Sequence, residues 1–374
     1  MSKTLMDYRR ELHQIPELGF DLYKTSEYIE HELIHMGYKP RRMAKTGWVI
    51  HKEGKSKQAI LFRTDMDALP VKEETNVQFL SKHEGKMHAC GHDGHMAMML
   101  GFASYVQKQN DLNYTVVMIF QPAEEGPGGA KVMIEEGLFD LYDIKACYGI
   151  HLYPGLEEGL YGLVKGPMMA QNGEFDITIK GKSSHGGQPH LGDDAIVASS
   201  ALIQGFQTII SRKVNPLDSV VITVGTISGG EARNIVSHEV KLSGTMRAFR
   251  NDTYQSVKKW MKQFSDGIEM QYHVKIDHQM VDYYPAVVND SKFVEDLKNS
   301  LNQNQYQMIE PMTVSEDFAF YQQKVPGVFV MLGSKNEAKG YHYPLHSCYF
   351  NFDERILDKG VELYIHLLKL HQAL

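Results

Sequence analysis

Apolar runs alternate with helical patterns along the first part of this 374-residue chain. Residues 59–62 are apolar at every position, and 114–120 and 144–150 are strand-like runs of mainly apolar residues, which is typical of parallel strands buried on both faces. Residues 96–107, between the first two runs, are apolar nearly all round, as expected of a buried helix. Strands that alternate with helices predict an α/β fold with a mostly parallel sheet and helices on both faces.

The pattern changes near residue 172. Residues 174–180 alternate between apolar and polar, as a strand with one solvated face does. From there on, the predicted order is strand, helix, strand, strand, helix, strand, which indicates an α+β ferredoxin-like unit. We therefore predict an inserted domain at 172–283, within a first domain built from 1–171 and 284–374.

Side chains that can act as acids, bases or metal ligands follow the predicted parallel strands. Asp65 stands at the end of the first strand, and His151 follows the third. Glu124 and Glu125 follow the second strand. Because ligands of open α/β sheets collect beyond the carboxyl ends of the strands, these residues are expected in one crevice.

A thiol and an imidazole stand two residues apart at Cys90 and His92, in the stretch 87–95. A thiolate and a neutral imidazole that converge on one point suit zinc or a similar borderline metal. His88 and His95 of the same stretch are expected to support the ligands or to pack, rather than to bind metal. The stretch therefore predicts a metal site only together with donors from elsewhere in the chain.

The candidate metal ligands come from the whole chain. They are Cys90, His92, Glu125, His151 and His346. Since a catalytic zinc takes three protein ligands and a water, this many donors indicates two divalent ions that share a bridging carboxylate. Glu124 is adjacent to a ligand and cannot face the same ion from a regular strand, so it is the candidate general base. A structural thiol or a nucleophile are the alternatives for Cys90, and nearby carboxylates disfavour the thiolate that a nucleophile needs.

Composition narrows the compartment and the class of partner. The net charge of −7 and the pI of about 6.2 argue against nucleic acid or an anionic membrane as the main binding partner. Three cysteines are too few for a disulfide framework and fit a reducing compartment. No signal peptide is expected, and no run approaches the ~20 apolar residues that span a bilayer. We expect a cytoplasmic protein that binds a small molecule.

Six motifs, in order along the chain, resemble those of the M20 family of metallopeptidases and deacylases. The motifs are RTDMDALP at 63–70, MHACGHD at 87–93, QPAEEG at 121–126, GIH at 149–151, SHGG at 184–187 and SEDF at 315–318. The resemblance covers essentially the whole chain and is strongest to the aminoacylase-like and hippurate-hydrolase-like amidohydrolases of that family.

The resemblance implies that the five donors hold two divalent ions, which are Zn, Mn, Co or Ni. It implies Glu124 as the base, with Asp65 or Asp67 as an orienting carboxylate. The wider family has His-x-Asp where this chain has Asp65-Met66-Asp67. Cys90 is therefore expected to supply the replacement ligand, and the choice between the two aspartates stays open.

Four further residues are expected to contact substrate. His185 either stabilises an oxyanion or is a simple loop histidine. Arg247 either clamps an α-carboxylate or forms a surface ion pair. Asn234 either binds a substrate carbonyl or holds a turn, and Glu316 either contacts substrate or caps the helix that starts there. The neighbouring Asp317 is predicted to be that cap.

These observations predict an amidohydrolase that removes an acetyl group from an N-acetyl amino acid. Within its branch, the resemblance implies that the substrate is N-acetylated LL-2,6-diaminopimelate, an intermediate of lysine biosynthesis. The alternatives are a broader N-acyl amino acid or hippurate hydrolase, a dipeptidase, and a non-catalytic metal- or small-molecule-binding protein. The resemblance also implies a homodimer through the inserted lid domain, in which His185 serves its own or the partner's site.

Overall fold

The structure, a computed structural model, describes residues 3–373 and contains two compact units. The first unit contains the described residues up to Gly166, Val288–Glu310, and the described residues from Asp317 onward. The second unit contains Pro167–Val287 and Pro311–Glu316. The range of the second unit includes the predicted insertion at 172–283.

The helices are α1 Leu5–His13, α2 Tyr23–His35, α3 His92–Gln107, α4 Gly129–Glu135, α5 Leu138–Leu141, α6 Ala195–Arg212, α7 Asn251–Tyr272, α8 Ser291–Ser300, α9 Ala319–Gln322 and α10 Leu357–Leu370. Short 3₁₀ turns lie at Pro189–Leu191, Glu337–Lys339 and Glu354–Ile356. A capping box starts α1, since Thr4 and Asp7 each bind the other's backbone N–H. Across residues 3–373, none of the helices has the length and apolar character needed to cross a membrane.

The strands are β1 Arg41–Met43, β2 Gly47–Lys52, β3 Ser56–Asp65, β4 Tyr114–Gln121, β5 Asp143–Glu157, β6 Tyr161–Leu163, β7 Gly166–Met169, β8 Gln171–Lys180, β9 Ser184–His185, β10 Val220–Gly229, β11 Ile235–Val236, β12 Glu239–Ala248, β13 Lys275–Asp282, β14 Val287–Asn289, β15 Tyr306–Met308 and β16 Gly327–Lys335. The strands of two or three residues were not predicted, because so short a run has no period to detect.

An eight-stranded sheet forms the centre of the first unit, in the order β1-β2-β4-β3-β5-β16-β6-β15. Its central strands β4, β3, β5 and β16 are parallel, and antiparallel pairs lie nearer to the edges. Val116, Val117 and Met118 are consecutive residues of β4, and all three are fully buried. Since successive side chains of a strand point to opposite faces, both faces of the sheet are covered. The predicted α/β fold with a mostly parallel sheet is confirmed.

The second unit is built on a four-stranded antiparallel sheet in the order β10-β12-β8-β13. Its elements follow one another as β8, α6, β10, β12, α7 and β13, which is the predicted ferredoxin-like order. Phe175 and Ile177 of β8 pack with Leu202 and Phe206 of α6 and with Met261 of α7. This unit therefore has its own hydrophobic core.

Candidate metal centre

The carboxylate of Asp67 holds the turn that follows β4. Its Oδ1 accepts the backbone N–H of Glu124 at 2.9 Å, and its Oδ2 accepts that of Glu125 at 3.0 Å. Ala123, just before them, has a φ of 59°, in the left-handed region where few non-glycine residues lie. The two glutamates therefore leave the sheet in an arrangement that one buried carboxylate determines.

Helix α3 begins at His92, earlier than the predicted start at residue 96. Its first turn holds His92, Asp93 and His95, which are polar but fully buried, so their polarity concealed the helix in the sequence. The Nδ1–H of His92 donates to the backbone carbonyl of Asp67 at 2.8 Å. Its Nε2 is therefore the ring nitrogen that remains for a metal ion, and that atom is buried without a hydrogen-bond partner among residues 3–373.

Cys90 lies at the centre of the predicted metal ligands. Its Sγ is 3.5 Å from Nε2 of His151 and 3.5 Å from Nε2 of His346. The ligand atoms of Cys90, His92 and Glu125 lie within 4.8 Å of one another. Oε1 of Glu125 is also 3.2 Å from Nε2 of His346. The fold thus brings together all the predicted donors, including a pair separated by 256 positions in the chain.

The electrostatics of these groups favour a cation. Burial opposes a charge on His92, but the neighbouring carboxylates, first that of Asp65, outweigh burial and raise its pKa to about 10. Burial, together with the nearby Glu125 carboxylate, raises the pKa of Cys90 well above its usual value. A metal ion would replace the protons that both groups otherwise keep. The raised pKa also disfavours Cys90 as a nucleophile.

His151 lies inside β5, which continues to Glu157, so the prediction that this strand ends at His151 is wrong. The neighbouring β3 ends at Asp65, but β16 pairs with β5 as far as Glu157 and keeps it extended. The Nδ1–H of His151 donates to the carbonyl of Leu152 at 2.7 Å. Burial lowers the pKa of His151 well below its usual value, so its ring is neutral and its Nε2 lone pair is available near Cys90.

Asp65 binds two buried cationic or polar partners. Its Oδ2 accepts from Nη1 of Arg63 at 2.7 Å, and its Oδ1 accepts from Nδ1 of His95 at 2.7 Å. Burial raises the pKa of Asp65, but the imidazoles and the guanidinium beside it outweigh burial and hold that pKa well below its usual value. Both ring nitrogens of His95 are engaged, since Nε2 accepts the N–H of Leu152 at 2.9 Å. The two aspartates therefore have different partners: Asp65 holds Arg63 and His95, and Asp67 holds the glutamate turn.

Asp317 does not cap the helix that follows it, so that prediction is wrong. Helix α9 has Phe318 at its N-cap and no side-chain cap. The Asp317 carboxylate instead accepts from Nη2 of Arg63, from Nε2 of Gln121 and from the N–H of Ala130 in α4, each at 2.9 Å. Asp317 faces Arg63 because a fully buried guanidinium is costly without carboxylate partners. Arg63 was not predicted to take part in the site, although a charged residue within an apolar strand run is a signal of such a role.

His185 and Asn234 are neighbours in the second unit. β9 pairs with β11, and the N–H of Gly186 donates to the carbonyl of Asn234 at 2.7 Å. Nδ1 of His185 accepts the N–H of Gly187 at 3.0 Å, and its side chain is exposed. Both residues thus belong to one exposed ribbon.

Arg247 and Glu316 also lie in the second unit. Arg247 is half-buried in β12, and its Nη1 is buried without a hydrogen-bond partner in the described part of the chain. Burial lowers the pKa of Arg247. Glu316, the last residue of Pro311–Glu316, is buried.

Comparisons with known proteins agree with the motifs. Peptidase family M20/M25/M40 matches residues 61–370. The N-acetyldiaminopimelate deacetylase of Oceanobacillus iheyensis is 36% identical over 376 residues, which are 98% of this chain and 99% of that protein. The N-acetylcysteine deacetylase of Bacillus subtilis is 35% identical over 371 residues, 97% of this chain and 95% of that protein.

A solved structure shows the same fold. The YXEP protein of Bacillus subtilis, described as a dinuclear metal binding peptidase from the M20 family, is 32% identical and superposes with a TM-score of 0.85. The alignment covers 99% of this chain and 97% of that one. The chain therefore belongs to peptidase family M20, and the family that the motifs predicted is confirmed.

Proposed function

We propose that this chain is a metal-dependent amidohydrolase that removes the acetyl group from an N-acetyl amino acid. The proposed substrate is N-acetyl-LL-2,6-diaminopimelate, and the products are LL-2,6-diaminopimelate and acetate. Relatives named N-acetyldiaminopimelate deacetylase support this substrate because they match nearly the full length of the chain. The three cysteines are free thiols, which fits the proposed cytoplasmic location.

The observation that carries the proposal is the meeting of donors around Cys90. His92 has a buried, unpartnered Nε2 among the described residues, and Cys90 Sγ lies 3.5 Å from two imidazole nitrogens. A buried ring nitrogen without a partner is costly, and a cation bound beside Cys90 would remove that cost. The mixed thiolate, imidazole and carboxylate set fits borderline divalent ions, and we propose two of them, Zn, Mn, Co or Ni. Their proposed ligands are Cys90, His92, Glu125, His151 and His346.

Glu124 is the proposed base. A divalent ion bound at the site would supply a water whose pKa falls from about 15.7 to about 7. Glu124 takes a proton from the attacking water and passes it to the departing amine, a transfer that typically contributes about 10²–10⁴-fold to the rate. Asp67 keeps Glu124 in place because it binds the backbone N–H groups of both glutamates.

The second unit is proposed to bind the substrate. We assign His185 to the oxyanion of the tetrahedral intermediate and Arg247 to the α-carboxylate, with Asn234 and Glu316 as further contacts. The buried Nη1 of Arg247, which has no partner among the described residues, supports an anionic ligand there.

We also propose that 172–283 acts as a lid and mediates a homodimer. β10 is an edge strand of its sheet, so part of its backbone is available for pairing. Val221 and Ile227 of β10 are 41% and 57% exposed, so this edge presents apolar side chains as well as backbone groups. A second copy of the chain would cover them, and His185 would then serve its own site or its partner's.

A second substrate is favoured by one specific observation. The relative named N-acetylcysteine deacetylase is 35% identical, close to the 36% of the diaminopimelate enzyme, so identity does not separate the two. A broader N-acyl amino acid hydrolase is therefore the competing proposal. A non-catalytic binding protein on this fold would have no use for a base, such as Glu124, next to the proposed metal ligand Glu125.

The test is a substrate panel with defined metals. Purified protein is incubated with N-acetyl-LL-2,6-diaminopimelate, N-acetylcysteine, hippurate and N-acetyl-lysine, each with Zn, Mn, Co or Ni, and amine release is measured. The expected result is the highest kcat/KM for the diaminopimelate substrate, abolished by a chelator.

Variants of two glutamates, one in the proposed site and one on the surface, sharpen the test. Glu124→Gln is expected to keep its metal and to lose about 10²–10⁴-fold in kcat. Glu135→Gln, at an exposed position of α4, is the control and should match the wild type. Amine release that survives chelation, or a Glu124→Gln variant with normal kcat, would contradict the mechanism.

A further inference from the structure

At Leu152, strand β5 is paired with a neighbouring strand on one side only. The pairing of β3 with β5 extends only to Arg63 opposite Gly149, and β3 ends at Asp65. On the other side, β16 still pairs with β5, with Leu332 opposite Leu152. Leu152 is fully buried, so an N–H on the vacated side needs another acceptor.

His95 supplies that acceptor. Its Nε2 accepts the N–H of Leu152 at 2.9 Å, and its Nδ1 lies 2.7 Å from Oδ1 of Asp65. Since an N–H only donates and a carboxylate only accepts, His95 is neutral with its proton on Nδ1. The other oxygen of Asp65 accepts from Arg63 at 2.7 Å, which keeps Asp65 ionised. Asp65 therefore selects the tautomer that lets His95 hold the strand.

The same residue, Leu152, orients His151. Its carbonyl accepts the Nδ1–H of His151 at 2.7 Å, so the Nε2 lone pair of His151 stays 3.5 Å from Cys90 Sγ. The rings of His95 and His151 are also in edge contact, with centroids 4.5 Å apart at an angle of 68°. One buried backbone residue thus links the two imidazoles.

Two glycines allow α3 to come close enough for this contact. A Cβ at Gly91 would lie 3.0 Å from Cδ1 of Leu152. A Cβ at Gly94 would lie 3.1 Å from the same atom and 2.7 Å from the ring of Phe352. Such distances are shorter than ordinary van der Waals contact, so a side chain at either position would push the first turn of α3 away from β5.

We infer that His95 is a positioning residue for His151: Asp65 sets the tautomer of His95, His95 holds Leu152, and Leu152 aims His151 at the metal centre. The inference rests on the proposed function in that His151 is taken as a metal ligand. His95 itself does not bind the ion, because both of its nitrogens are occupied.

The first test uses the metal-free protein. Long-range ¹H–¹⁵N correlation spectra report the tautomer of each histidine, and the signals of His95 and His151 are assigned by their loss in His95→Gln and His151→Gln. Both residues are expected as the neutral Nδ1–H form. In His95→Leu, His151 is expected to become a mixture of tautomers, because Leu152 is no longer held. His95 found as the Nε2–H form, or a His151 unchanged in His95→Leu, would overturn the inference.

The second test measures metal affinity. His95→Leu is expected to lower the affinity for one of the two ions by about 10–100-fold and to leave the affinity for the other nearly unchanged. His95→Gln, whose amide can donate to Asp65 and accept from Leu152, is expected to restore most of that affinity. His88→Leu is the matched control, since His88 lies in the same stretch and is equally buried, and its ring nitrogens have no hydrogen-bond partner among the described residues.

The two tests separate this inference from the proposed function. Equal losses of affinity in His95→Leu and His88→Leu, or equal losses for both ions, would indicate a general packing effect and would overturn the inference. A wild-type protein that binds no ion and releases no amine would reject the proposed function instead. In that case the tautomers of the metal-free protein still decide whether His95 orients His151.

Discussion

The substitution Asp67→Asn tests whether one carboxylate positions Glu124, the proposed base. Asp67 accepts two backbone N–H groups, those of Glu124 and Glu125, at 2.9 and 3.0 Å. An asparagine offers one acceptor oxygen and turns its NH₂ group toward the second N–H. One charge-assisted hydrogen bond is lost, which costs about 1.5–3 kcal/mol, and two donors then face each other in a buried site.

The expected effect on catalysis is larger than the effect on stability. A shift of roughly 1 Å in a reacting group costs about 10²-fold in rate, so kcat should fall by about that factor while KM changes little. The free energy of unfolding should fall by about 2 kcal/mol, within the cost of the lost bond. Steady-state kinetics on the acetylated substrate measure the first effect, and urea unfolding measures the second.

A surface carboxylate provides the control. Asp21→Asn removes an exposed ion pair with Lys45 and should change neither kcat nor stability measurably. An Asp67→Asn enzyme with wild-type kcat and intact metal content would refute the idea that Asp67 positions Glu124. A variant that loses its metal completely would show instead that Asp67 mainly holds the proposed metal ligand Glu125 in place.

Three further outcomes are expected. Arg247→Ala should raise KM sharply for substrates with a free α-carboxylate and little for their esters, and equal effects on both would exclude the clamp. His346→Ala should lose bound metal, measured by elemental analysis of the purified protein, and activity with it; full metal occupancy would remove His346 from the ligands. His13 lies 2.7 Å from Asp93 and 3.0 Å from Glu73; burial opposes its charge, but these carboxylates outweigh burial and raise its pKa above 6.5. Because the folded pKa is the higher one, this stabilisation is complete below about pH 6.5 and is lost as pH rises through the folded pKa. Urea unfolding between about pH 6 and 9 should show a steeper decline in the wild type than in His13→Gln, since His92 contributes equally to both, and identical profiles would refute the role of His13.

Much of the fold followed from hydrophobic periodicity. The run at 114–120 is apolar apart from Thr115, and the strand Tyr114–Gln121 is buried on both faces. The run at 174–180 alternates, and β8 has the corresponding pattern of buried and exposed positions. Periodicity was sufficient there because a strand buried on two faces is apolar along its length, whereas a strand buried on one face alternates between apolar and polar residues.

Partners across the fold could not be predicted in the same way. The contact of Arg63 with Asp317 joins positions separated by 254 residues, and nothing local in the sequence of either residue indicates the other. The end of β5 was misplaced because its extension depends on pairing with β16. The sequence predicts a supporting or packing role for His95, but its link to His151 passes through the backbone of Leu152, which any residue type could supply.

The position of β16 has a consequence for how the chain is made. This strand lies between β5 and β6 in the eight-stranded sheet, although all four strands of the second unit's antiparallel sheet precede it in the chain. A ribosome therefore releases β5 long before its partner exists, and an open hydrogen-bonding edge persists until residues near Lys335 emerge. Such an edge invites pairing with other nascent chains. Slow translation or truncation before β16 should accordingly yield aggregates rather than a smaller folded protein.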